Sequence, residues 1–325
     1  MPKTDKYSMM LEDDKMIVGA SSMQGWRSTM EDAHTVALSL PRIPGGRLEW
    51  EGALTAVFDG HNGSRIAHVS ASSVVGWVTS LSNQAYANQD WQAALRQAFM
   101  NGDAELFRSI PGEQSGCTAN VLLLIGTTLL CANAGDSRAV MCRGGVVVPL
   151  SEDHKPMNPI EKARVEKAGG FVLNGRVNGI LSLSRALGDY SLKQAEIAPE
   201  LQAVTALPDV LAIQLVIEDE FVIQACDGIW DCVTNAQAVA LVRNELNEHG
   251  DAALACERLI ERCLALVPSK FGTDNMTVII INFKNSYFQR ALSGQRQQSG
   301  QTGSDGETPK QLHEEDTEHH GEEET

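Results

Sequence analysis

Several features are missing from this 325-residue sequence. No apolar run reaches the ~18 residues of a membrane-spanning helix. The best candidate, 121–134, is interrupted by Gly126, Thr127 and Thr128. The N-terminal stretch has no apolar signal core and is too acidic for a transit peptide. Pro2 stands where N-myristoylation needs glycine. There is no C-x-x-C and no Cys/His metal spacing. The seven cysteines, an odd number, are scattered between positions 117 and 263. They read as reduced thiols of a cytoplasmic or nuclear protein rather than a disulfide framework. None lies in a His-Cys-x5-Arg loop, and Walker A and G-x-S-x-G motifs are absent, so cysteine-phosphatase, P-loop and serine-hydrolase chemistries are excluded. Positive charge is scarce: 26 Lys and Arg against 42 Asp and Glu leave −16. Nonspecific nucleic-acid binding needs a basic footprint, and an anionic membrane surface repels such a chain. Neither partner is expected.

What is present suits a soluble globular protein, with 43% hydrophobic and 21% charged residues, enough to bury a sizeable core. The composition changes near residue 288. Residues 289–325 hold nine carboxylates against Arg290, Arg296 and Lys310, with almost nothing apolar. Such a segment cannot offset its ordering entropy and reads as an acidic disordered tail. One folded domain over 12–288 remains, carrying about −10 of the charge.

Runs rich in Val, Ile, Leu and Thr, bounded by Gly, Asp and Asn, predict strands at 16–24, 30–40, 53–58, 118–125, 127–132, 139–142, 146–150, 221–226 and 276–283. Several are continuously apolar and so covered on both faces. Helical periodicity predicts helices over 62–82, 90–108, 159–168 and 251–267, the third stopped by Gly169-Gly170 and the fourth by Pro268. Strands follow one another without intervening helices, which points to antiparallel sheets in an α+β layered domain.

The carboxylates have a pattern. Asp59-Gly60, Asp136 and Asp227-Gly228 follow apolar strands, Asp231 lies just beyond, and Asp274 precedes another strand, while Glu31-Asp32 opens the run 30–40. Taken singly, an Asp before Gly is a turn residue. Taken together, strand ends can converge on one rim of a sandwich, where clustered carboxylates repel unless neutralised. All-oxygen donors select hard divalent cations, Mg2+ or Mn2+. Gly60 leaves room for its backbone to approach such an ion. Arg27 is either a surface ion-pairing residue or a phosphoryl clamp. His61 is either a packed histidine or a general acid.

The sequence resembles the metal-dependent protein phosphatases, the type 2C serine/threonine phosphatase family. The resemblance rests on Gly25-Trp26-Arg27 with Met30-Glu31-Asp32-Ala33-His34, Val57-Phe58-Asp59-Gly60-His61-Asn62-Gly63, Gly116-Cys117-Thr118-Ala119 and Asn133-Ala134-Gly135-Asp136-Ser137-Arg138. It continues through Asp153-His154-Lys155-Pro156, Arg176-Val177-Asn178-Gly179, Ser184-Arg185-Ala186-Leu187-Gly188-Asp189, Ala225-Cys226-Asp227-Gly228-Ile229-Trp230-Asp231 and Asp274-Asn275-Met276-Thr277. These occur in family order across 15–283.

The resemblance implies a four-layer αββα architecture, an antiparallel two-sheet β-sandwich flanked by α-helix pairs, with a binuclear Mg/Mn centre at one rim. Asp59 would bridge both metals, and the Gly60 carbonyl would serve one. Asp227 and Asp274 would hold the other. Glu31 would serve the first directly or through water, and Asp32 the water network. Asp136 and Asp231, with Asp227, would form a weaker third site. Arg27 would hold the phosphate and His61 would be the general acid. Thr118 matches a position near the metals, and 153–185 a flap beside the site. Cys117 stands where serine is common in the family. The implied reaction is hydrolysis of phosphoserine and phosphothreonine proteins; separately, a monomer is expected. Two other readings stay open: a catalytically weak scaffold of the same fold, and another oxygen-ligated metal phosphoesterase. The tail reads as a solvated polyanion; the alternatives are an autoinhibitory or partner-binding segment, or one that competes for Mn2+ through His319, His320 and Glu322 to Glu324.

Overall fold

The computed structural model describes residues 1–40, 52–81 and 90–288. The expected tail, 289–325, lies outside the described residues. In chain order the strands are β1 (Lys3–Glu12), β2 (Met16–Gly25), β3 (Ala33–Ala37), β4 (Gly52–Phe58), β5 (Gly60–His61), β6 (Gly116–Cys117), β7 (Ala119–Ile125), β8 (Thr128–Ala134), β9 (Arg138–Arg143), β10 (Val146–Pro149), β11 (Val172–Leu173), β12 (Arg176–Val177), β13 (Leu187–Gly188), β14 (Asp209–Gln214), β15 (Asp219–Ala225) and β16 (Met276–Phe283). The helices are α1 (Arg65–Ser80), α2 (Trp91–Ser109), α3 (Pro159–Lys167), α4 (Asp227–Trp230), α5 (Asn235–His249) and α6 (Ala252–Cys263).

Two antiparallel sheets face each other. One has the order β1-β2-β16-β15-β9-β10 and the other β14-β8-β7-β4-β3. Between them lies a core of Val18, Ala20, Met141, Val222, Ile279 and Ile281 from the first sheet against Ala53, Val57, Leu122, Leu124 and Leu129 from the second. The outer faces are covered too, which is why the strands are apolar without alternation. Ile66, Val74, Trp77, Leu95 and Phe99 of α1 and α2 pack on Leu54, Ala56, Val121 and Leu123. Val239, Val242, Cys256, Leu259 and Ile260 of α5 and α6 pack on Val140, Ile223, Val278 and Ile280. The expected α+β sandwich with a helix pair on each side is therefore observed. A buried polar link crosses it: Thr55 Oγ1 donates to Gln224 Oε1 (2.7 Å), and Gln224 Nε2 donates to the Asn120 carbonyl (2.8 Å).

Three expectations need correction. The folded region starts at β1, not at residue 12. This strand pairs with β2 from Lys3 to Glu12 but leaves almost every side chain exposed. It is an edge strand held by main-chain bonds and by ion pairs such as Lys6–Glu261 (2.8 Å), so it carries no hydrophobic period. Helix α5 and strand β14 were not expected either, for similar reasons. Only three residues of α5 are buried, and every residue of β14 keeps some exposure. The run 30–40 is strand only over Ala33–Ala37. Its first residues are diverted to the rim, where the Asn275 side chain accepts the Glu31 N–H (2.9 Å).

Antiparallel pairing also decides where the carboxylates go. The C-terminal ends of β4 and β8, two places apart in one sheet, share a rim. In the other sheet, the end of β15 and the start of β16 meet at that same rim, so Asp59, Asp136, Asp227 and Asp274 all emerge there.

Candidate metal centre

One cleft is lined by Arg27, Glu31, Asp59, Gly60, His61, Asp136, Asp227 and Asp274. Carboxylate oxygens of Asp59, Asp136 and Asp227 lie within 4.8 Å of one another. Asp32 is buried just behind, and one of its oxygens lies as close to Asp59 and to the Cys226 sulfur. Asp231 stands outside this lining. It is exposed in a neighbouring hollow with Arg138 and Trp230, although its charge still bears on Asp136 and Asp227.

The local scaffolding is specific. The Asp59 N–H donates to Thr118 Oγ1 (3.0 Å) and the Thr118 N–H donates to the Asp59 carbonyl (2.9 Å). Thr118 Oγ1 is in turn 2.7 Å from Ser137 Oγ. Thr118 thus clamps the backbone of Asp59. Gly60 proves necessary for a different reason from metal approach: a Cβ there would lie 2.3 Å from the Glu31 carbonyl oxygen. Asn275 ties the Arg27 loop down, donating through Nδ2 to the carbonyls of Gln24 (2.8 Å) and Thr29 (3.0 Å). The Arg27 guanidinium donates to the Asp274 carboxylate at the cleft mouth. His61 Nε2 is 2.7 Å from Asp189 Oδ2. Cys117 is buried, its thiol pushed well up by burial, and its side chain supplies nothing to the cleft.

The electrostatics are unbalanced. Burial, and then the charges of Asp227, Asp32, Asp136 and Asp274, hold Asp59 well above the usual carboxylate range. Burial, Asp136 and Asp274 do the same to Asp227. Burial raises Asp136 despite the ammonium of Lys155 on its carboxylate. Burial pushes Asp32 up to about 6, against the opposing hydrogen bond from Thr277 (2.7 Å). Among the described residues, the second oxygen of Asp32 is buried and has no hydrogen-bond partner. A buried oxygen left unpaired costs about 1–3 kcal/mol. Converging carboxylates with too few protein cations, an orphaned oxygen and an all-oxygen donor set (Cys226 being held protonated by burial) fit hard divalent ions.

Sequence reasoning missed the roles of Asn275, Asp189 and Arg176, which lines the same cleft from the hairpin of β11 and β12. All three stand inside motifs quoted for the family, but nothing in their spacing gives a role. Other motif residues turn out to build the frame. Arg138 grips Asp153 bidentately (2.9 and 2.7 Å). His154 Nδ1 accepts the Gly135 N–H (3.2 Å). Arg185 bonds the buried Glu161 (2.7 Å) and Asp209 (2.7 Å).

Known proteins resemble this chain in sequence and in fold. The family model for Protein phosphatase 2C matches residues 16–267. The chain is 41% identical over 298 residues to protein phosphatase 2C homolog 3 of Schizosaccharomyces pombe, covering 89% of this chain and 71% of that one. It is 36% identical over 351 residues to probable protein phosphatase 2C 11 of Oryza sativa subsp. japonica, covering 92% and 93%. The crystal structure of a phosphatase from a pathogenic strain of Toxoplasma gondii matches with a TM-score of 0.72 at 26% identity, over 86% of this chain and 96% of that one. By sequence, fold and the carboxylate rim, the chain belongs to the protein phosphatase 2C family of metal-dependent phosphoric monoester hydrolases.

Proposed function

We propose that this protein hydrolyses phosphoserine and phosphothreonine esters of protein substrates at a centre holding two Mg2+ or Mn2+ ions, with a weaker third. The observation that carries the reading is the convergence of Asp59, Asp136 and Asp227 within 4.8 Å in the cleft that also holds Arg27 and His61. Asp59, the Gly60 carbonyl, Asp227, Asp274 and Glu31 would hold the two ions, Asp32 would order water behind them, and Asp136 with Asp231 would serve the third. When bound, such ions supply a water of lowered pKa as nucleophile and neutralise charge on the phosphoryl group.

The chain's own residues do the rest. Arg27 is half exposed and already engages a carboxylate, so its planar fork is placed to exchange that partner for a phosphoryl dianion. Thr118 and Asn275 keep Asp59 and the Arg27–Glu31 segment in fixed relation across the two sheets. His61 protonates the departing seryl or threonyl oxygen, a contribution of about 10²–10⁴-fold in typical cases. The seven free thiols, six of them buried, support a reducing compartment, cytoplasm or nucleus. The test is phosphate release from a phosphothreonine peptide. Activity abolished by EDTA and restored by Mn2+, with none on bis-p-nitrophenyl phosphate, is expected. Equal activity on the diester would overturn the reading.

A further inference from the structure

His61 does not stand alone. It sits on the two-residue strand β5, opposite Gly116 of β6. Its Nε2 is 2.7 Å from Asp189 Oδ2, and that carboxylate is only 4% exposed, against 21% for the imidazole. Asp189 lies on the protein side of the ring. It belongs neither to the cleft lining nor to the converging carboxylates.

The chain goes to some trouble to place this group. Gly188 and Asp189 have φ of +79° and +50°, two consecutive left-handed residues. The left-handed region is uncommon for a residue with a Cβ, and such strain persists only where the surroundings impose it. Here they do. Asp103 accepts the Gly188 N–H (2.8 Å) and the Lys193 ammonium (2.7 Å), its carbonyl accepts the Tyr190 hydroxyl (2.9 Å), and the Asp189 N–H donates to the Ser115 carbonyl (3.2 Å). Gly116 is the complementary sign. Its φ is not positive, so conformational freedom does not explain it. Space does: a Cβ at 116 would lie 2.1 Å from Asp189 Oδ2 and 2.6 Å from His61 Nε2. The glycine leaves room for the pair.

We infer that Asp189 is a positioning residue that fixes the ring of His61 and the nitrogen it uses. The inference rests on the reading of His61 as general acid. An ionised carboxylate only accepts, so Nε2 carries the hydrogen of this bond and Nδ1 is the nitrogen left for the substrate. In the acid form both nitrogens are protonated. Nδ1–H passes to the leaving oxygen, the N–H bond breaks as the O–H bond forms, and the neutral ring keeps Nε2–H on Asp189. Without Asp189 the ring can turn and offer either nitrogen.

The test uses the full chain loaded with diamagnetic Mg2+, with Asp189→Asn and Asp189→Ser as two variants of differing packing and His61→Ala as reference. Nitrogen-15 spectra of the histidine-labelled chain, with His61 assigned by its loss in His61→Ala, are expected to show the Nε2–H tautomer in the parent and a mixture in both variants. For a phosphothreonine peptide, kcat should fall by ~10²-fold or more with KM changed much less. The loss should shrink at least tenfold with p-nitrophenyl phosphate, whose leaving group needs no proton. Adding Asp189→Asn to His61→Ala should cost nothing further. An unchanged tautomer in the folded variants, or losses that add to that of His61→Ala, would overturn the inference. Equal loss on both esters in His61→Ala itself would defeat the general-acid reading, and the spectra would still decide whether Asp189 sets the ring.

Discussion

Replacing Asp59 by asparagine should make the metal-free protein more stable while removing its response to metal. The substitution keeps the shape and deletes one charge. In the parent, oxygens of Asp59, Asp136 and Asp227 lie within 4.8 Å of one another. Two unit charges at that separation repel by ~3.5 kcal/mol at an effective permittivity of ~20. Of the three pairs in this cluster, the substitution removes two. Proton uptake already relieves part of the repulsion, as the upward displacement of Asp59 shows, so the net gain is on the order of 1–3 kcal/mol. The new amide N–H can also serve the unpartnered oxygen of Asp32. For a domain of this size, about 2–4 °C per kcal/mol is expected, hence a melting temperature raised by a few degrees in chelator. Mn2+ at 100 times its Kd should stabilise the parent by ~2.7 kcal/mol, about 5–10 °C, and the variant by little. Scanning calorimetry in EDTA and along a Mn2+ titration measures both. A metal-free variant that melts several degrees below the parent, or one that keeps the full metal-induced rise, would refute the account of the rim as a repulsive carboxylate cluster awaiting cations.

Four further outcomes are expected. His61→Ala should lower kcat on a phosphothreonine peptide by ~10²–10⁴-fold, far less on p-nitrophenyl phosphate, with an unaltered Mn2+ isotherm by calorimetry. Burial pushes Asp32 from the ordinary 3.8 up to about 6, so the native state holds its proton more tightly. Its contribution to metal-free stability therefore falls, by something on the order of 3 kcal/mol, as pH rises from ~4 to ~6, and Mn2+-induced stabilisation grows over the same window. Melting curves of the parent against Asp32→Asn isolate that contribution, and a flat difference would contradict it. Glu161→Gln leaves Arg164 and Arg185 facing a buried neutral amide in place of a carboxylate held at 2.7 Å by each, and should cost ~3–5 kcal/mol in urea unfolding. Deleting 289–325 should leave Mn2+ affinity and kcat unchanged, measured on the truncated chain beside the parent.

Much of the site is legible in the amino-acid order. Asp59, Asp136 and Asp227 end strongly apolar strands and Asp274 begins one, so β-periodicity alone puts them at strand ends. The layered α+β class follows from the same runs. The remainder is invisible for identifiable reasons. Strand β1 has both faces wet and no alternation to detect. Asp231 shares its segment with Asp227, yet the turn that closes α4 leaves it exposed in the next hollow. Gly60 suggests room for a metal ligand, whereas the contact it avoids is the carbonyl of Glu31, whose N–H is held by Asn275, 244 residues away.

The sequence by itself determined the class of fold and the placing of carboxylates at the ends of apolar strands. These depend on residue type and local period, both of which are local properties of the chain. Tertiary structure alone decided which rim the carboxylates share, that Asp32 lies behind and Asp231 beside the cluster, and that Asp189 stands behind His61. Such facts depend on strand order and register between segments more than a hundred residues apart, as His61 and Asp189 are. They also depend on close approaches, such as that over Gly116, which exist only once the sheets have closed.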